Sequence, residues 1–218
     1  MVEYAVSDLV KEVKVLLDRN QESAGLLAPD DSDTLSQAEL IESKIVDAAR
    51  IILMDAPAFM LDGKDYNGLN TSWAESNGAY VGTTHLPSDM IRLLNVKASD
   101  WNRSAEIITE EDDAYKVQCS RFGVRGNPER PVAALIHRSG ERLLELFTSK
   151  SNTATVSLTY VGMPSISEGN IDLPETLKDS IIYMAGYLTC ISLGDTDTAS
   201  GFLGVARKLA HIVEPTTS

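Results

Sequence analysis

The chain has 218 residues, 43% of them hydrophobic, which is enough to bury a core without disulfide or metal staples. Its 32 acidic and 19 basic residues leave a formal net charge of -13, which argues against a nucleic-acid reader or a protein that adheres to anionic membranes. Cys119 and Cys190 have neither metal-ligand nor disulfide-framework spacing, no segment approaches a bilayer span of ~20 apolar residues, and the opening residues lack a secretion signal; a soluble protein made in a reducing cytoplasm is the expectation.

Residues 3–19 place Ala5, Leu9, Val13 and Leu16 or Leu17 at helical spacing, with Lys11, Glu12 and Lys14 on the opposite side, and predict an amphipathic helix. The stretch NQESAGLLAPDDSDTLS that follows is rich in turn residues and reads as a loop. Ser36 stands three residues before Glu39 in the pattern of a capping box, and Leu40, Ile41, Ile45, Ala48, Ala49 and Ile52 continue a helical stripe to Asp55, before Pro57. Residues 57–85, rich in Gly and Asn, read as a long connection.

From Leu69 to Val161 the periodicity shortens. Residues 90–98, 131–138, 141–149 and 153–163 have the length, β-branching and flanking turns of strands. Ser139-Gly140 predicts a tight hairpin between the second and third, and Lys150-Ser151-Asn152 a turn from the third into the fourth, together an antiparallel meander. TEEDDAYKVQCSRFG, acidic at its start, suits a short helix against the sheet. After SISEGNIDLP, Pro174 fits a first helical turn, and Leu177, Ile181, Met184, Ala185 and Leu188 form one apolar face. Gly194 supplies a left-handed stop, Asp195, Thr196 or Asp197 a cap, and Ala199, Phe202, Leu203, Ala206, Leu209 and Val213 one side of a last helix. Small residues through this hairpin, Gly186, Gly201 and Gly204 among them, imply close helix approach.

The fold class expected is therefore α+β: a helical bundle from residues 1–62 and 170–214, an inserted antiparallel β-rich subdomain at 63–169, and a flexible tail at 215–218. Chemistry is harder to find. His85, His137 and His211 lie far apart in three contexts, with no nucleophile or second histidine at motif spacing. GDTDTASG resembles a calcium loop in part, but Ala199 replaces an oxygen ligand, so helix capping is the simpler reading. The acidic runs at Asp30, Asp31 and Asp33 and at Glu110 to Asp113 read as solvated, and SRFGVRGNP lacks phosphate-loop spacing. No catalytic residue, metal ligand or cofactor is assigned. The candidate interface residues are Trp73, Trp101, Arg121, Arg125 and Phe202. The two tryptophans read equally as core anchors or interface hot spots, Trp101 being the better interface candidate; the two arginines read as contacts to acidic neighbours.

The segments LPSDMIRLLNVKASDWN, VSLTYVGMP and IDLPETLKDSIIYMAGYLTCISLGDTDTASGF together resemble the head-to-tail adaptors of short-tailed bacteriophages, the connector or tail-tubular type. The likeness runs over residues 36–212 in short blocks and leaves out residues 57–85 and 103–131. It implies a non-enzymatic virion protein at the head–tail junction, a ring commonly of twelve subunits that contacts itself, the portal protein and the next tail component while DNA passes through its lumen. The excess of acid fits a wall past which DNA slides. An oligomeric binding or scaffolding module is the second reading, and a hydrolase with an acid–histidine pair the third.

Overall fold

The computed structural model describes residues 1–17, 36–120 and 124–213. The loop expected within 18–35, Arg121 and the tail at 215–218 lie outside the described residues. The molecule is α+β, with helices and both antiparallel and mixed sheets, and divides into two compact units, Met1–Asp62 with Met163–Ser218, and Gly63–Gly162.

The first unit holds β1 (Val2–Ala5), α1 (Val6–Leu16) and α2 (Gln37–Asp55), then, from the later part of the chain, the strands Ile166–Ser167 and Asn170–Leu173 and the helices Lys178–Ser192 and Thr196–Leu209. Residues 3–5, expected as helix, are strand instead: β1 pairs antiparallel with Asn170–Leu173, a partner some 165 residues away that no local period can announce. Helix α1 then buries Val6, Leu9, Val10 and Val13. Helix α2 begins at the expected capping box, in which the Glu39 amide donates to Ser36 Oγ (3.3 Å) and the Ser36 amide to Glu39 Oε2 (2.6 Å). Its buried stripe is Ile41, Ile45, Ala48, Ala49, Ile52 and Leu53.

The second unit, in chain order, contains β2 (Lys64–Asn67), β3 (Ser72–Ser76), β4 (Ala79–His85), β5 (Met90–Ala98), β6 (Glu106–Thr109), α3 (Asp113–Cys119), β7 (Val132–Arg138), β8 (Glu141–Ser149) and β9 (Val156–Gly162). The strands of the first unit named above are then β10 (Ile166–Ser167) and β11 (Asn170–Leu173), and its helices α4 (Lys178–Ser192) and α5 (Thr196–Leu209).

Three expectations for the strands need correcting. Residues 57–85 are not merely a connection, because β2, β3 and β4 form there, and Asn77 and Gly78 both take positive φ (57° and 77°) in a tight β3–β4 hairpin. The meander also breaks. β7 and β8 pair across Ser139-Gly140 as expected, but β9 leaves that sheet and pairs with β5 and β2, while β8 finds β4. The crossing is fixed at its start by Asp100, whose carboxylate accepts from the Lys150 amide (2.7 Å) and from Ser149 Oγ (2.9 Å). The insert is also not wholly antiparallel: β6 runs parallel to β7, joined through α3, so the five-stranded sheet (order β3-β4-β8-β7-β6) is mixed.

That sheet and the three-stranded β2-β9-β5 share one core. Leu93, Val96, Val156 and Leu158 from one meet Ala133, Leu144 and Leu146 from the other. The opposite face of β7 and β8, with Val132, Ala134, Ile136 and Phe147, is covered by Tyr115 of α3. Strands buried on both faces read as continuous apolar runs, which is why they were visible in the sequence.

In the first unit α4 packs against α5, α2 and α1, and it is buried nearly all round, at Ser180, Ile181, Ile182, Met184, Ala185, Gly186, Thr189 and Cys190. Ser180 Oγ donates to the Ala206 carbonyl (2.8 Å), so the polar group inside the α4–α5 contact is satisfied. Gly194 (φ 78°) ends α4 as predicted, and Asp195 caps α5 by accepting from the Thr198 amide (3.2 Å). The reading of close approach at these glycines holds at one position and fails at two. A Cβ on Gly186 would lie 3.1 Å from Leu16 Cδ2 and 3.5 Å from Phe202 Cδ2, whereas one on Gly201 or Gly204 meets nothing within 4 Å. Both of these α5 glycines face outward, as do Leu209 and Val213, which the sequence put on the buried side.

Candidate functional site

The interface candidates scatter when placed in the fold. Trp101 is 3% exposed in the core of the second unit, and its indole N–H donates to the Thr148 carbonyl (2.9 Å). It is a core anchor, not an exposed hot spot: the polar residues around it conceal a ring that turns inward. Trp73 on β3 is half-buried over Gly82, its cross-strand partner on β4, and donates to the Ala154 carbonyl (3.0 Å). Phe202 is half-buried on α5, edge-on to Tyr183 (6.1 Å between centroids). Among the described residues Arg125 donates to Ser76 Oγ (2.7 Å) and not to an acid, and its buried Nε has no hydrogen-bond partner. Trp73 and Trp101 belong to one hydrophobic cluster, the core between the two sheets of the second unit, whereas Phe202 lies on α5 in the first unit.

The histidines stay apart too. His85 Nδ1 is 3.4 Å from Glu141, His137 Nδ1 is 3.7 Å from Glu110, and His211 stacks edge-on to Phe59 (6.1 Å). Among the described residues, no group of three or more His, Cys, Asp and Glu side chains is arranged to hold a metal ion. One polar cluster is internally closed. Tyr115 donates to Glu145 Oε2 (2.8 Å) and accepts from Arg138 (3.1 Å), and Arg138 lies 3.6 Å from Glu145. Burial, and then the bond to Glu145, push the Tyr115 phenol far above its ordinary 10.0, which keeps it a donor at neutral pH. These bonds pin α3 to the sheet, and every group in them has a partner.

What remains open is apolar surface. Between α2 and α4 lies a groove of about 500 Å³ with Ile51, Met54, Leu188 and Ile191 as its apolar walls and Lys44, Asp47 and Arg50 at its rim. In the second unit a smaller groove of about 290 Å³ runs beside β5 and β7. Phe59 and Val213 project almost fully into solvent, at 80% and 87% exposure. Apolar walls predominate in both grooves, with Lys44, Asp47, Arg50 and Ser192 also lining the first and Arg92, His137 and Arg142 the second. Sequence reasoning missed both grooves, because each joins residues that are distant in the chain: residues 44–54 with 188–192, and 86–93 with 135–142.

No protein-family model matches the chain. Comparison with curated proteins likewise returned no match.

Proposed function

We propose that this chain is a structural, non-enzymatic virion protein whose copies form a ring that joins the portal to the tail and surrounds the DNA channel. The observation that carries the reading is where the resembling segments fall in the fold. The blocks at 86–102 and 156–164 contain β5 and β9, which are hydrogen-bonded neighbours, and the block at 171–202 contains β11, α4, the Leu193-Gly194-Asp195 break and the start of α5. Segments separated in sequence thus form two supersecondary units instead of scattering.

In this reading the two ends of the chain build a helical bundle and the β-rich part is an insertion. A ring needs heterologous contacts, one face of a subunit against a different face of the next, and a helical unit and a β unit supply unlike surfaces. The net charge of -13 suits a lumen that repels phosphate and so lets DNA move without sticking. The site of action would be the head–tail junction of the virion, after synthesis in the host cytoplasm, with the portal and the next tail or ring protein as partners and no cofactor. The groove between α2 and α4 favours a second reading, an oligomeric scaffolding module that holds a peptide or another virion protein.

Co-sedimentation with purified portal rings separates the two. Adaptor function predicts saturable binding at a fixed ratio of chains to portal subunits; a chain that stays in the supernatant while still capturing peptides belongs to the second reading.

A further inference from the structure

The two sheets of the second unit end in four strands, β2 and β5 in one and β3 and β6 in the other, and three of these edges resist a further strand. β5 slips twice against β9, between Met90 and Arg92 and between Leu93 and Asn95, and a bulged edge loses the even spacing of donors and acceptors that an added strand needs. β6 is engaged at both ends. The Ala105 amide donates to the Val96 carbonyl (2.9 Å), the Thr109 amide to Asp112 Oδ2 (2.6 Å), and the Asp112 amide to the Thr109 carbonyl (3.2 Å). β2 is four residues long and carries Lys64 and Asp65, and charge on an edge, lysine above all, guards against pairing.

β3 has none of these devices. It holds five residues without Lys or Pro, and its register against β4 runs unbroken from Ser72 with Thr83 to Ser76 with Ala79. The two-residue turn Asn77-Gly78, both at positive φ, makes Ser76 and Ala79 a hydrogen-bonded pair. Bonded pairs alternate along an antiparallel ladder, so Ala74 and Ser72 also bond to β4, while Trp73 and Glu75 fall between. The amides and carbonyls of Trp73 and Glu75 therefore point to the open side of the strand.

Such an edge is complementary to itself. Turned about a twofold axis through Ala74, a second copy of β3 runs antiparallel to the first. Trp73 then exchanges two hydrogen bonds with Glu75 of the second copy, and Glu75 does the same with Trp73 of the second copy, which uses every open group of both edges. Ala74 meets its own counterpart as a non-bonded pair, where side chains come closest, and it is small and exposed. Ser72 comes opposite Ser76. Glu75, the only charged residue of the strand, comes opposite Trp73, so that the two Glu75 side chains are set on the diagonal and not face to face.

We propose that β3 pairs antiparallel with β3 of a second copy about Ala74, joining two five-stranded sheets into one. The contact is isologous and closes at two copies. A ring needs other, heterologous surfaces, so this pairing goes beyond the ring reading and does not rest on it. The strand is short, so the pair is reversible and its share grows with concentration.

The test is sedimentation equilibrium of the full chain, without portal, over a range of concentrations, together with disulfide trapping. The unaltered chain should show a reversible two-copy association. Ala74→Lys sets like charges opposite each other at the axis, on a side chain exposed in the single copy, and should weaken the pair about fivefold or more. Ala74→Glu should do the same, while a mixture of the two variants should recover pairs with one chain of each kind, a rescue that a misfolded variant cannot give. Cys119 is exposed and Cys190 buried, so trapping uses a Cys119→Ser chain. In it, Ala74→Cys should form an intermolecular disulfide on mild oxidation, its Cα atoms being about 4.5 Å apart in the pair. Ser72→Cys should not, because its two copies would lie roughly 14 Å apart. A single-copy mass at every concentration, or an association that both charge variants leave unchanged, would overturn the proposal. So would assemblies of any size in which Ala74→Cys gives no disulfide, since β3 would then meet a different partner or none.

Discussion

Trp101 combines apolar burial with a hydrogen bond to a backbone carbonyl. Its ring fills the core shared by the two sheets of the second unit, and its N–H satisfies the Thr148 carbonyl. Trp101→Ala is expected to lower unfolding free energy by about 3–5 kcal/mol, the range for emptying an aromatic core site. Trp101→Phe keeps most of the apolar volume but leaves a buried carbonyl without its donor, at a cost of about 1–3 kcal/mol. Denaturant titration of both variants measures the two terms, and equal losses would contradict the separation. The sequence left this residue undecided for a physical reason. Asp100, Asn102 and Arg103 surround it with polarity, and the carbonyl that accepts from its indole, that of Thr148, stands 47 positions away. Arg125 was misread in the same way: its local neighbours gave no hint of Ser76, which arrives from a hairpin 49 residues upstream.

Helices α2 and α5 allow element-scale predictions. The capping box at Ser36 gives Ser36→Ala an expected cost of about 1 kcal/mol. The Ser36 backbone and side-chain bonds also lower the Glu39 carboxyl from its ordinary 4.5. Because the folded value is the lower one, the cap's stabilisation is complete above pH 4.5 and is lost as pH falls through the folded value. Amide hydrogen exchange at the first turn of α2 should therefore speed up in acid relative to its middle, and a Glu39→Gln chain should show less of this change. On the α4–α5 hairpin the two glycines should respond oppositely. Gly204 has open space, so Gly204→Ala raises the stability of the isolated chain by up to about 1 kcal/mol through helix propensity. Gly186→Leu drives a branched side chain against Leu16 and Phe202 and lowers the melting temperature. Calorimetry of the two variants checks the signs. The helices were legible because a 3.6-residue period and a cap are local signals, and α2 matches its expected stripe almost residue for residue. The Asn77-Gly78 and Glu168-Gly169 turns were equally local, each with two consecutive positive φ values, but the strands that lead into them, β3 and β10, are short and largely exposed and lack the apolar alternation that makes a hairpin visible.

At the scale of the whole molecule, the strands could be read but their partners could not. β8 and β9 are consecutive in the chain and belong to different sheets, and β1 completes a sheet with the far end of the sequence. Strand pairing of this kind is decided by which apolar faces meet in the finished core, information no short window holds. In the proposed ring, the unlike surfaces of a helical unit and a β unit would meet head to tail around a lumen lined by the acidic excess. The measurement that tests this most directly is electron microscopy, with mass determination by light scattering, of the purified chain alone and after incubation with a candidate portal protein. The adaptor account predicts a closed ring with an axial channel and a mass that is one fixed multiple of the 23.7 kDa chain, formed alone or on the portal. A monomer or dimer that ignores the portal at every concentration would contradict it.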